Sequence, residues 1–97
     1  MVTTFEQQKE SVLTSLQALS AANDYLIIKS GKTFVEQEKE LNKKRVKIHR
    51  VMRYRLRHKD EGILYLPFFK IAGLCDYWQM SFDSLLQIGK EQIEKNK

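Results

Sequence analysis

The chain has few of the residues that break helices or cross-link a fold. Its 97 residues include four glycines, one proline and one cysteine. So few glycine and proline residues favour long helices over many short strands joined by turns. The single cysteine, Cys75, excludes an intramolecular disulfide and is typical of a reducing compartment, so we expect a cytoplasmic protein.

No hydrophobic run in the sequence is long enough to cross a membrane. The most apolar stretch, residues 63–80, has 13 apolar residues in 18, but Pro67, Lys70, Gly73 and Asp76 interrupt it. A membrane-spanning helix needs about 20 consecutive, mostly apolar residues. The first residues also lack the basic and apolar regions of a signal peptide. We therefore expect neither a membrane span nor a secretory signal.

Sequence motifs of catalysis and metal binding are missing as well. No segment matches a phosphate-binding glycine loop, a zinc-ligand spacing or a nucleophile elbow. His49 and His58 are nine residues apart in a basic stretch, which does not resemble a metal site. Cys75 has apolar neighbours, which is typical of an inert buried thiol. We therefore predict a non-enzymatic protein without a cofactor.

The apolar residues that are present predict one helical domain over residues 1–97. They make up 42% of the chain, which is enough for one core in a domain of this size. Their helical spacing in the N-terminal third predicts a helix over residues 4–29, with a break near residue 23. A capping box at Thr3 and Glu6 begins this helix, and Gly31 ends it.

A second capping box, at Thr33 and Glu36, predicts the start of another long helix. Apolar residues then fall on one stripe at positions 34, 41, 48, 52 and 56, and no glycine or proline follows before Gly62. Acidic residues early and basic residues late complement the helix dipole. The pattern predicts one helix over residues 33–59, roughly 39 Å long. Together the two predicted helices would form a long αα-hairpin.

Residues 46–57 also fit a strand. Ten of these twelve residues alternate between apolar and polar, and residues 60–62 suit a hairpin loop before a return strand. This α+β alternative, with a basic β-hairpin around residues 46–66, is winged-helix-like. The sequence leaves open whether residues 46–58 are helix or strand. A shorter hairpin over residues 25–35 is a similar alternative.

Two shorter helices are predicted after this region. Pro67 is suited to the first position of a helix over residues 67–79, and Ser81 caps a helix over residues 82–95. Gly89 weakens the last helix. The predicted fold is therefore mainly α, with a long αα-hairpin followed by two shorter C-terminal helices.

Positive charge is concentrated in residues 43–59, which we call the basic segment. It contains nine Lys or Arg, two His and no acidic residue. The other 80 residues contain eight Lys or Arg and twelve Asp or Glu. The net charge of +5 therefore comes entirely from the basic segment.

The side chains of the basic segment are suited to binding phosphates. On a helix, its cations at every third or fourth position share one face about 120° wide. Arginine donates two parallel hydrogen bonds to phosphate oxygens, and a tyrosine on this face can stack on an unpaired base. Phosphate contacts position a protein without specifying sequence. The predicted nucleic-acid-binding residues are Lys43, Lys47, Arg50, Arg53, Tyr54 and Arg57.

The sequence therefore predicts a small nucleic-acid-binding accessory protein, with DNA rather than RNA as its partner. A homodimer is a further expectation, because six of the ten aromatic residues lie between positions 65 and 82, and aromatics are enriched at interfaces. The alternative is a helical adaptor or inhibitor whose basic face docks on an acidic surface of a larger protein. A charge run can also be a solvated helix face, partly paired with acids of the same fold.

Overall fold

Four helices hold most of the chain that the computed structural model describes, which is residues 4–44, 46 and 68–96. No strand occurs in these ranges, so the predicted mainly α fold is confirmed. The first helix has 26 residues, and the three that follow it have 10, 11 and 14. In chain order the helices are α1 (Phe5–Ser30), α2 (Phe34–Lys43), α3 (Phe68–Trp78) and α4 (Phe82–Lys95).

Helix α1 begins and ends with the local chemistry that its sequence supplies. The Thr4 hydroxyl accepts a hydrogen bond from the Gln7 N–H at 3.1 Å, and the Gln7 side chain accepts one from the Thr4 N–H at 2.9 Å. This capping box lies one residue later than the predicted one. Gly31 ends the helix in the left-handed conformation, at φ 73°, as predicted. Between its ends α1 is continuous.

That continuity corrects two sequence-based expectations. The break predicted near residue 23 does not occur, and the alternative hairpin over residues 25–35 is wrong because residues 25–30 are helical. The buried residues of α1 continue on both sides of residue 23, from Leu13 to Ile27, so packing stabilises the helix through this point.

Helices α2 and α4 begin at the predicted caps. The Thr33 hydroxyl accepts from the Glu36 N–H at 3.1 Å, and the Ser81 hydroxyl accepts from the Ser84 N–H at 3.1 Å. Each bond satisfies an N–H group that has no partner within its helix. The starts of both helices are therefore fixed by single side chains.

The end of α2 differs most from the prediction. The sequence predicted one helix over residues 33–59, but α2 ends at Lys43. The N–H of Val46 then donates to the Leu41 carbonyl at 3.0 Å, and the Val46 side chain is buried. The rest of the predicted helix and the alternative strand pair, over residues 47–66, lie outside the described residues.

The reason for this end is a tertiary contact with α3. A Cβ atom added to Gly73 would lie only 2.8 Å from a methyl carbon of Val46, so the valine occupies a notch that the glycine leaves open. Full burial of a valine side chain stabilises a fold by about 1.5–3 kcal/mol. Extending a helix by one more residue contributes at most about 0.3 kcal/mol. The packing of Val46 therefore outweighs the local preference to continue the helix.

The core lies mainly between α1 and α4. Ala18 and Ala22 of α1 are fully buried, as is Leu85 of α4 to within 1%. A Cβ atom added to Gly89 would overlap the Ala18 carbonyl group. Gly89 therefore does more than weaken α4, because its missing side chain lets the two helices approach closely.

Candidate functional site

The structure describes one of the six predicted nucleic-acid-binding residues. Lys43 is exposed in the last turn of α2. The other five predicted residues lie outside the described ranges. The structure therefore shows three residues of the basic segment, Lys43, Lys44 and Val46, together with the surface around them. The five predicted binding residues outside the described ranges are Lys47, Arg50, Arg53, Tyr54 and Arg57.

The second residue of the basic segment, Lys44, is paired with α3. Its Nζ donates to Asp76 Oδ2 at 2.9 Å, and the two side chains are 58% and 56% exposed. The hydrogen bond from Lys44 is the main cause that holds the pKa of Asp76 below its ordinary value. Such an exposed pair stabilises a fold only weakly. One cation of the segment thus has an internal partner.

Asp76 is held in place by a second residue at the end of α3. Gln79 Nε2 donates to the Asp76 carbonyl oxygen at 2.6 Å and to Asp76 Oδ1 at 3.3 Å. Gln79 itself has a φ of 53°, a left-handed conformation that is uncommon for a residue with a side chain. The turn that ends α3 therefore fixes the carboxylate beside the start of the basic segment.

A second polar cluster joins α2 to α3 through the preceding turn. Lys32 Nζ lies 3.2 Å from Glu40 Oε2 and 3.1 Å from the Tyr77 hydroxyl, and 4.9 Å from the centre of the Tyr77 ring. The bonds to Tyr77 and Glu40 raise the pKa of Lys32, and the bond from Lys32 lowers the pKa of Glu40. Burial raises the pKa of Tyr77. The cluster positions α2 against α3.

A third polar group lies inside the fold and joins α1, α2 and α3. Asn23 and Gln37 exchange two side-chain hydrogen bonds, of 3.0 and 2.6 Å, and Trp78 Nε1 donates to Asn23 Oδ1 at 2.9 Å. Gln37 is completely buried and Asn23 is 7% exposed. Buried amides without partners are costly, and here each amide supplies the partner of the other.

None of these three groups was predicted from the sequence. The sequence does contain one signal of the buried amides, which is the position of Asn23 and Gln37 within apolar stripes. Asn23 lies four residues after Leu19 and three before Leu26, both in the apolar stripe of α1. Gln37 lies in the same way between Phe34 and Leu41 of α2. A polar residue within an apolar stripe indicates burial. Its partner on another helix depends on packing, which the stripe does not reveal.

Among the described residues, no three His, Cys, Asp or Glu side chains form a group that could hold a metal ion. Cys75 is half-buried rather than fully buried, and burial raises the pKa of its thiol, away from the reactive thiolate. No helix in the described ranges is long and apolar enough to span a membrane.

The charge of the described residues is nearly balanced. They carry nine lysines and ten aspartates or glutamates. All five arginines of the chain lie at positions 45–57, outside these ranges. The described residues, which we call the helical body, contain lysine but no arginine. The basic segment contains both lysine and arginine.

The chain matches no protein-family model, and neither a curated protein nor a solved structure is similar to it.

Proposed function

We propose that this chain is a small, non-enzymatic nucleic-acid-binding accessory protein that binds phosphates through the basic segment. The observation that carries the proposal is the separation of charge between the segment and the helical body. The described residues have nine lysines, of which Lys43 and Lys44 belong to the basic segment, for ten carboxylates. They therefore have few spare carboxylates for the seven Lys and Arg of the basic segment that lie outside the described ranges.

The type of cation in the segment also supports a phosphate ligand. A guanidinium group presents a planar set of donors that matches two oxygens of one phosphate, whereas an ammonium group acts as a point charge. The concentration of all five arginines of the chain within positions 45–57 suits a phosphate-binding surface. General solubility would be served equally well by lysines spread over the helices.

The proposal is tested by the salt dependence of binding to short labelled oligonucleotides, measured by fluorescence anisotropy. Neutralising four to six phosphates gives a slope of log affinity against log salt of about −4 to −5 on duplex DNA. The double variant Arg53→Ala/Arg57→Ala should reduce the size of that slope by about two, at every sequence tested. Duplex DNA, single strands and RNA are compared, and we expect duplex DNA to bind most tightly.

A matched control removes the same charge from the helical body. Lys90 and Lys95 are exposed on α4, and Lys90→Ala/Lys95→Ala should leave the slope unchanged. The proposal fails if the wild-type protein binds no oligonucleotide at low salt, or if the two double variants change the slope equally. Absence of oligonucleotide binding combined with capture of one acidic protein would instead support the adaptor function.

A further inference from the structure

The Lys44–Asp76 pair places a carboxylate where a phosphate oxygen could bind. Lys44 Nζ donates to a single oxygen, Asp76 Oδ2, at 2.9 Å. Carboxylate and phosphate oxygens are both anionic acceptors for an ammonium group. Lys44 is also adjacent to Lys43, the exposed first residue of the basic segment. Lys44 was not among the predicted binding residues.

The backbone around Lys44 is held while its side chain remains free to change partners. The N–H of Lys44 donates to the Leu41 carbonyl at 2.9 Å, and Val46 is buried against Gly73. The Lys44 side chain, by contrast, is 58% exposed to solvent. A change of partner therefore needs a rotation of the side chain and no movement of the fold.

The carboxylate does not depend on Lys44 for its position. Gln79 Nε2 donates to both the backbone and the side chain of Asp76. When Lys44 turns away, Asp76 keeps this donor and its contact with water. The exchange therefore strands no buried charge, and its cost is the loss of one exposed ion pair, which is small.

We propose that Lys44 is an additional phosphate-binding residue of the basic segment, and that Asp76 is an internal competitor that occupies Lys44 until a nucleic-acid phosphate displaces it. This inference rests on the proposed function and adds a regulation to it. Asp76 lowers the affinity for any polyanion by the free energy of the pair that has to be broken.

The test is a double-mutant cycle on oligonucleotide affinity at one fixed salt concentration. Asp76→Asn keeps an acceptor for Gln79 but removes the charge, and should tighten binding by about two- to fivefold. Lys44→Ala should weaken binding and reduce the salt slope by about one. In the Lys44→Ala background, Asp76→Asn should tighten binding only as much as the removal of any one negative charge from the surface does. Asp83→Asn, on the exposed surface of α4, measures that general effect.

Two results would overturn the inference, and they differ from failure of the proposed function. In the first, Asp76→Asn tightens binding no more than Asp83→Asn does. In the second, Asp76→Asn has the same effect with and without Lys44. Either result leaves wild-type binding to oligonucleotides intact. If the wild-type protein binds no oligonucleotide, the proposed function and this inference fall together. Circular dichroism melting curves of each variant confirm that the fold is retained.

Discussion

The residue-scale feature that most constrains this fold is the buried amide pair of Asn23 and Gln37. Both side chains are inaccessible enough that water cannot replace a lost partner. Trp78 adds a third donor to the pair, so side chains of three helices meet at one oxygen atom, Asn23 Oδ1. Hydrogen bonds depend on direction as well as distance, so this set of bonds restricts the relative position of the three helices.

Replacing one residue of the Asn23–Gln37 pair should lower the free energy of unfolding. Gln37→Met keeps most of the side-chain volume but leaves the buried Nδ2 of Asn23 without its acceptor. We expect a loss of about 1–3 kcal/mol in the free energy of unfolding, measured by urea denaturation. Gln87→Met, on the exposed side of α4, should change stability by less than about 0.5 kcal/mol. Equal effects of the two substitutions would contradict a structural role for the amide pair.

Sequence patterns predict which of these residues are inside, but not what they bind. The positions of Asn23 and Gln37 within apolar stripes indicate burial from helical periodicity alone. That the two amides meet follows from how α1 and α2 pack, and the spacing in sequence does not encode it. The same holds for Lys32 and Tyr77, which hydrogen-bond across 45 positions of the chain.

At the scale of helices, the contact between α1 and α4 depends on the absence of a side chain. Replacing Gly89 with alanine would have two opposite effects on the stability of the protein. In an exposed helix, replacing glycine with alanine stabilises by about 1 kcal/mol, because alanine loses less conformational freedom. At Gly89 the added carbon would overlap backbone atoms of Ala18, which cannot move aside as a flexible side chain would.

We therefore expect Gly89→Ala to destabilise the protein by about 2–3 kcal/mol, since overpacking a close contact outweighs the gain in helix propensity. The free energy of unfolding from urea denaturation measures this. Ala72→Gly, on the exposed side of α3, serves as the comparison and should cost only about 1 kcal/mol. A Gly89→Ala variant as stable as the wild type would mean that α1 and α4 are further apart than described.

Helix starts could be predicted at this scale, whereas one helix end could not. Thr33 and Ser81 begin α2 and α4 because each cap satisfies N–H groups within three residues of itself. The end of α2 at Lys43 depends instead on Val46 entering the notch at Gly73 of another helix. Local patterns therefore predict what neighbours in sequence decide, and fail where a distant residue decides.

At the scale of the whole molecule, two ion pairs connect neighbouring parts of the fold: Lys32 in the turn before α2 pairs with Glu40 of α2, and Lys44 at the start of the basic segment pairs with Asp76 of α3. Glu40 and Asp76 both have pKa values below their ordinary ones, chiefly because of hydrogen bonds from Lys32 and Lys44. Their contribution to stability is present above the unfolded pKa values, near 4, and is lost as the pH falls through the lowered, folded values.

A lysine variant tests this dependence on pH. Lys32→Met removes the donor to Glu40, so the pKa of Glu40 should return toward its ordinary value. The variant should melt below the wild type at about pH 7, and the difference in Tm should narrow as the pH falls toward about 2. Lys39→Met, at an exposed position of α2, should show no such trend. A Tm difference that stays constant over the whole pH range would contradict the role of the Lys32–Glu40 pair.

The Gly89–Ala18 contact also has a consequence for how the chain is made. Residue 18 leaves the ribosome early, and its packing partner is synthesised only after α2 and α3 are complete. Until then the apolar stripe of α1 has no α4 to cover it. Contacts between positions so distant in sequence slow folding relative to helical proteins with local contacts. A newly made chain is therefore most vulnerable to aggregation and proteolysis before residue 89 emerges.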